Sequence, residues 1–593
     1  MTLVASSAGA SVPGADTRLT NDSTAAGGYV SADDLAGLPH YSDATLDECS
    51  RSRGRQNEPS VAVDPRNPQV VVGSSNDYCA VYNDADDADG APIPSGPIWL
   101  GYYRSENGGT SFTSSLLPGY PGDNSALGRL SGVRTASAGD PVLAWDTQGR
   151  LFAGSESSDD PAGSKKSFGD VFVARYRNSG GGFANDGKRF AGSTIVARGS
   201  SAPNLLGVFN DKTAIEVDRT SGSCAGTVYF SYSRFTGNGG VALYLARSTD
   251  HGVTFSAPIK ITAGVHDVQG PDISVTGNGH VYITFRQFTD GHLQPDAIDL
   301  VRSTNCGATF SAPRVLAKIT PFEAVDRLVS GGSARDCGDG ASACQSGYTF
   351  FRTGTLPRST ADQATAANEW VHVAYEATVP GSVVSTGSTY GSTNISGQGG
   401  QGSIYYLRYN GATGQVAAAP RQVAPEPVFG HQLFPDIVVD AGTLHAIWWD
   451  SRNDVMNNAS TFRQRPMGDD ADGNVGPALD VFGSTKSAGA TTWTMAAPVS
   501  DVTSNPNYEQ FGGRTVPFAG DYLWVDSRGG NTVAVWTDWR NTVPGVDQRE
   551  TTPDESGADV LQCRTVRTDG SFTGDKCPRL GGLDQNIYGD RSP

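Results

Sequence analysis

The chain has 593 residues, a net charge of −18, 74 glycines and only 4 methionines. That charge argues against nucleic acid or an anionic membrane as partner, since both demand a basic patch; a small anion, held by local arginines, stays open. No run approaches the ~20 apolar residues of a membrane span, and short apolar runs broken by Gly, Ser, Thr and Asp predict an all-β chain.

Residues 1–50 read as a polar arm rich in Gly, Ala and Ser, mobile or wrapped along the surface. Its first 28 residues have neither a basic n-region nor an apolar h-region and look like the tail left after a signal peptide is removed. Residues 51–593 contain no convincing linker and are treated as one domain. Within them a two-strand unit recurs at 58–77, 140–156, 211–234, 272–286, 436–452 and 521–540, with a weaker copy at 369–376. Many of these runs are apolar on both faces, as in Leu444-His-Ala-Ile-Trp-Trp449, which suits sheets stacked face to face. About seven such units predict a β-propeller of about seven four-stranded blades; six blades would require one unit to be an insertion. The segment 381–402 is almost pure Gly, Ser and Thr, a functional or disordered loop.

Three segments align without gaps: Ser105-Glu-Asn-Gly-Gly-Thr-Ser-Phe112, Ser248-Thr-Asp-His-Gly-Val-Thr-Phe255 and Ser303-Thr-Asn-Cys-Gly-Ala-Thr-Phe310. Each reads as a turn between strands. The Asp or Asn caps backbone amides, Gly supplies a left-handed residue, and the aromatic anchors the turn. Degenerate versions lie at 177–183, 484–493 and 567–572. Eight cysteines without CxxC spacing suit disulfides and a secreted protein. Proximity suggests Cys337–Cys344 and Cys563–Cys577, which leaves Cys49–Cys79 and Cys224–Cys306, among about 105 connectivities.

In a four-stranded meander, the turn joining strands three and four shares a face with the turn joining strands one and two. Starts of first strands and ends of second strands lie on the opposite face. Those positions carry Glu58, Asp140, Asp211, Asp272, Asp436 and Asp521, then Asp77, Glu156, Arg234, Arg286, Glu376, Asp450 with Arg452, and Asp538 with Arg540. Two readings compete: a ring of ligand-binding charges near the axis, or Asp–Arg pairs closed within each blade. Trp448, Trp449, Trp536 and Trp539 beside them could stack on sugar rings or fill space between blades.

The three aligned turns and the blade pattern resemble the Asp-box (BNR) repeats of the sialidase superfamily over most of 57–580. The resemblance implies a propeller and, in active members, glycoside cleavage, with an arginine clamp on the substrate carboxylate, a Tyr–Glu nucleophile pair and an Asp general acid/base. By blade position, Arg286, Arg452 and Arg540 could form that clamp, with Arg234, Trp449 and Trp539 also contacting substrate. Tyr508 with Glu509, or Glu376 with Tyr375, could supply the nucleophile, and Asp77 the acid. The first arginine of the family's Arg-Ile-Pro motif is absent, since the matching segment reads Asn57-Glu-Pro59. The expected function is therefore a secreted, monomeric exo-glycosidase acting on a terminal sugar of a glycan, sialic acid or another acidic sugar, with a different sugar equally open. The alternative is a non-catalytic propeller that binds glycan or protein through the same face. No cofactor is expected, although the acidic loops Asp84, Asp86, Asp87, Asp89 and Asp469, Asp470, Asp472, Asn474 offer hard oxygen ligands for Ca²⁺.

Overall fold

The structure is a computed structural model and describes residues 13–22, 27–51, 54–80, 98–158, 169–200, 207–289, 295–326, 353–425, 429–455, 460–465, 467–468, 476–506, 519–542 and 585–591. They form seven antiparallel blades, each counted outward from the strand that lines the axis. The seven inner strands are Gln56–Val63, Ser137–Trp145, Val208–Val217, Val268–Val275, Arg358–Thr360, Gln432–Asp440 and Trp524–Arg528. Blades one to four and six run inner to outer in chain order. Blade five splits its outer edge between Gln415–Val416 and Arg421–Gln422. Its inner strand has three residues, so the weak unit at 369–376 is its second strand, Trp370–Thr378, rather than a strand pair.

Blade seven is assembled from both ends of the described chain. Thr17–Arg18 adds outside Asn586–Asp590, pairing Thr17 with Gly589 and Arg18 with Tyr588. The rest of the arm follows the rim of blade one. Two short helices, Ala32–Leu35 and Ala44–Cys49, are capped by Ser31 and Asp43, whose side chains accept from the Asp34 and Leu46 amides. Tyr29 is buried and donates to Asp77 (2.6 Å), and Cys49 is bonded to Cys79. The 381–402 segment forms two small pairings, Val384–Ser385 with Gln398–Gly399 and Tyr390–Gly391 with Val325–Asp326. Among the described residues no helix is long and apolar enough to cross a membrane.

The three aligned turns share one hydrogen-bond pattern. Ser105, Ser248 and Ser303 accept from the Gly109, Gly252 and Gly307 amides at 2.9, 2.7 and 3.0 Å. Asn107, Asp250 and Asn305 accept from the Ser111, Thr254 and Thr309 amides at 3.1, 2.9 and 3.0 Å. Two successive residues are left-handed in each, as at His251 (φ +59°) and Gly252 (φ +77°). Each second glycine rests on the preceding blade. A Cβ on Gly252 would lie 3.0 Å from the Phe152 ring of blade two, and one on Gly307 would lie 3.0 Å from the Tyr229 ring of blade three. The turns are thus inter-blade contacts, and Cys306, inside the third turn, makes one of them covalent by bonding Cys224 of blade three. The pairs Cys49–Cys79 and Cys224–Cys306 are the two suggested above; Cys337, Cys344, Cys563 and Cys577 lie outside the described residues.

Two outcomes follow from these contacts. Gly252→Ala combines a left-handed backbone with crowding of Phe152 and is expected to cost about 1–3 kcal/mol by denaturant titration. Replacing Cys224 and Cys306 together by Ser opens a long loop and is expected to cost about 2–4 kcal/mol in the same assay.

Candidate functional site

A proline inside a strand cannot donate to the ladder and marks a bulge. The inner strands of blades one, two, four and six carry Pro59, Pro141, Pro271 and Pro435. In each, pairing with the second strand skips two residues, the proline and the one before it. The preceding residue is left-handed: Glu58 (φ +54°), Asp140 (φ +54°), Gly270 (φ +66°) and Phe434 (φ +47°). Blade three makes the same bulge at Lys212 (φ +54°) without a proline. A left-handed non-glycine residue costs roughly 1–2 kcal/mol, and such strain gathers at functional sites. All five bulges lie near the starts of inner strands, on the face opposite the three repeat turns.

Blades seven, one, two and three make one side of this mouth polar. Glu58, Asp140, Asp211 and Asp521 are 3–7% exposed, and Glu156 enters from the second strand of blade two. One carboxylate oxygen each from Asp140, Glu156 and Asp211 lies within 4.8 Å of the others. The Lys212 ammonium contacts Asp521 and lies 4.0 Å from Asp140. Asn76 holds two blades together, donating to Glu58 (2.5 Å) while accepting from the Asp140 amide (2.6 Å). Glu58 also accepts from the Asp521 amide (3.0 Å). Gly520 (φ +92°) makes that approach possible, because a Cβ there would collide with the Glu58 side chain. Burial first, and the Glu58 carboxylate second, push the Asp140 carboxyl well above the usual carboxylate range, against the pull of Lys212. Burial, then Asp140, Glu58 and Glu156, likewise keep the Tyr522 phenol protonated. The Tyr522 hydroxyl is screened from solvent and has no hydrogen-bond partner among the described residues.

Two residues deeper, Arg358 of blade five plugs the channel. It donates to Asp436 of blade six (2.9 Å), lies 3.7 Å from Asp272 of blade four and stacks on Trp524 of blade seven (3.9 Å to the ring centre). Burial still lifts Asp436 to about 6, against the pull of Arg358. A second carboxylate group sits in blades four and five. Arg286, 1% exposed, donates to Asp296 (2.9 and 3.1 Å) and contacts Glu323. Glu376, fully buried, accepts from the Phe434 amide (2.7 Å), and burial raises it to about 8 although Arg286 opposes the shift.

The ring of charges read from the sequence therefore divides by depth. Glu58, Asp140, Asp211, Asp521 and Glu156 meet at the mouth, whereas Asp272 and Asp436 lie below it. Most of the proposed arginines are closed within their own blades. Arg452 donates to Asp450 (2.9 Å) and Arg540 to Asp538 (2.7 Å), and Trp448 and Trp536 donate to the same two carboxylates, so Trp-x-Asp-x-Arg is a repeated local unit. Arg540 also reaches Asp501 (2.6 Å) and Asp16. Arg234 donates to Asn210 (3.0 Å) and the Tyr232 hydroxyl (2.9 Å). Trp449 and Trp539 are 2% exposed and pack on each other, ring centres 5.7 Å apart. Asp77 is fully buried and accepts from Tyr29, Tyr103 (2.7 Å), Gln56 and the Cys79 amide. Tyr375 and Glu376 are neighbours on a strand and project to opposite faces, Tyr375 stacking on Tyr405. Of the proposed substrate-site residues, Arg286 and Glu376 share one cluster. Tyr508, Glu509 and both candidate Ca²⁺ loops lie outside the described residues. Lys212, Tyr522, Asn76 and Arg358 are not among the residues that the sequence alone points to; the Xaa-Pro dipeptides signal the bulges at Glu58 and Asp140, and no proline marks the one at Lys212.

No protein-family model matches the chain, and no curated protein matches it. Among solved structures it is similar to a Hadza microbial sialidase (11% identity, TM-score 0.38), matching 66% of this chain and 63% of that one. It is similar to Penicillium chrysogenum alpha-L-arabinanase complexed with arabinobiose (13%, 0.38), over 67% of this chain and 89% of that one. It is also similar to Trypanosoma rangeli sialidase in complex with the inhibitor DANA (10%, 0.35), over 75% and 57%. The chain spans less than two thirds of the length of either sialidase. The propeller itself stands on the seven blade sheets of the structure.

Glu376 gives a pH signature. Its carboxyl takes up a proton more readily folded (about 8) than unfolded (4.5), so it lowers stability as pH rises between those values. Glu376→Gln, which can still accept from Phe434, is expected to reduce the fall in Tm between pH 5 and pH 8; an unchanged fall would show that Glu376 does not titrate there.

Proposed function

We propose that the protein is a secreted glycoside hydrolase that acts on a neutral sugar at the carboxylate mouth of blades seven, one, two and three. The observation that carries this reading is the meeting of Asp140, Glu156 and Asp211 within 4.8 Å, with Asp140 held protonated by burial and by Glu58. Glycoside cleavage needs one carboxylic acid to protonate the leaving oxygen and one carboxylate to attack or to activate water. Asp140 is the acid. Glu156, the least buried of the three, is the nucleophile. Carboxylate oxygens within 4.8 Å of one another are closer than the pair of an inverting enzyme, so retention of anomeric configuration is expected. Five carboxylates around one lysine would repel a sugar carboxylate, which turns the reading away from sialic acid. Two disulfides suit the oxidising conditions outside the cell.

Purified protein should hydrolyse at least one of a panel of neutral aryl glycosides, with retention seen by proton NMR of the first-formed sugar. Asp140→Asn and Glu156→Gln are each expected to lower kcat/KM about 10²–10⁴-fold with the fold intact. Glu509→Gln should leave it within about threefold. Loss on Glu509→Gln alone would move the chemistry to the 507–514 segment. No turnover on any sugar, acidic ones included, would leave the mouth a binding surface.

A further inference from the structure

Far from the mouth, the outer halves of blades five and six part to form a cavity of about 910 Å³. Its walls are the third strands of the two blades, Gly402–Asn410 and Asp480–Ser487, and the turn that follows the second of these. That turn is the degenerate 484–493 repeat, and Trp493 stands where the repeat has its aromatic. Here Trp493 packs edge-on against Tyr406 of the neighbouring blade, ring centres 5.3 Å apart.

The charge of this cavity is opposite to that of the protein. Arg408, Arg421, Arg452 and Lys486 line it, and among the described residues no Asp or Glu does. Asp450 neutralises Arg452 from behind. Lys486 is the informative one. It is 6% exposed, donates to the Ala490 carbonyl (3.0 Å) and lies over the faces of Tyr406 (4.2 Å) and Trp493 (5.4 Å). Among the described residues neither Lys486 nor Arg408 has a carboxylate within 4 Å. The nearest titratable neighbours supply no negative charge. His372, bonded to the Tyr406 hydroxyl (2.7 Å), is held neutral near 3 by burial and by these cations, and burial keeps Tyr406 protonated. Burial and Arg408 hold Lys486 itself down to about 8. A buried ammonium without a counter-ion is costly, and aromatic faces offset only part of that cost.

We propose that this cavity binds an organic anion with a flat apolar body, its charge on Lys486 and Arg408 and its body against Trp493, Tyr406 and the alanines of 417–419. A wall of aromatic and small apolar side chains that also carries Lys486 and Arg408, the latter over Trp370 (4.6 Å) and donating to the Ala488 carbonyl (3.3 Å), is the chemistry of an aryl carboxylate or sulfonate site rather than of a neutral sugar. The inference is independent of what the mouth does.

The probe is 1-anilinonaphthalene-8-sulfonate, titrated by fluorescence and calorimetry against the full chain, beside the uncharged 1-anilinonaphthalene. One molecule should bind per protein, and the uncharged compound at least about tenfold more weakly, the loss expected for one desolvated charge contact. Lys486→Met keeps the side-chain length and should weaken the sulfonate at least about tenfold; Arg408→Gln is a second variant in case the first fails to fold, with Tm checked for both. The proposal is overturned if the wild-type protein binds no sulfonate, if the uncharged compound binds as well, or if folded variants bind as wild type does.

Discussion

Seven sheets converge on one axis, and five of the seven inner strands break their own ladder where they enter the channel. The bulge is the constraint on which the mouth depends. It takes two residues out of register and turns one of them left-handed. Glycine accepts that backbone freely at 270, but Glu58, Asp140, Lys212 and Phe434 accept it at a cost of roughly 1–2 kcal/mol each. The neighbouring bonds, Asn76 to Glu58 and the Asp140 amide among them, hold the strained residues in place. Three of the five are charged and adjacent around the ring, and these three bring the carboxylates of different blades together.

Charge is sorted by place rather than balanced overall. At the mouth carboxylates outnumber the one lysine, and burial and Glu58 push the Asp140 carboxyl well above the usual carboxylate range. One layer down, a single guanidinium faces two carboxylates from neighbouring blades. In blades six and seven, Trp-x-Asp-x-Arg closes each arginine on its own strand end. In the groove between blades five and six, Lys486 and Arg408 stand without a carboxylate within 4 Å among the described residues. A net charge of −18 describes none of these environments.

The blades were legible because their signals are local. A repeated turn has one hydrogen-bond pattern whatever surrounds it, and strands buried on both faces are apolar throughout. The face carrying the charges followed from meander geometry alone. The partners of each charge did not follow. Arg452 and Arg540 find carboxylates two residues away, which spacing allowed but did not require. Arg358 escaped notice because its strand is three residues long and its partners, Asp272 and Asp436, belong to other blades. Glu58 and Asp140 were seen as strand starts, but their following prolines were not read as bulges, so their convergence with Lys212 and Tyr522 was missed. Among the described residues the suggested pairs Cys49–Cys79 and Cys224–Cys306 are formed, and the cysteines of the other two lie outside them.

The outermost strand of blade seven comes from the opposite end of the chain to the strand it pairs with. The propeller is therefore a circle fastened by a clasp whose halves, Arg18 and Tyr588, lie about 570 residues apart in the sequence. At about 5–20 residues per second, Thr17–Arg18 waits roughly half a minute to two minutes for its partner to be made. During that wait six blades can form in order while the seventh has no outer edge. The ring closes only once that partner strand has been made, and the early arm must be kept from pairing with another molecule's open blade until its own arrives.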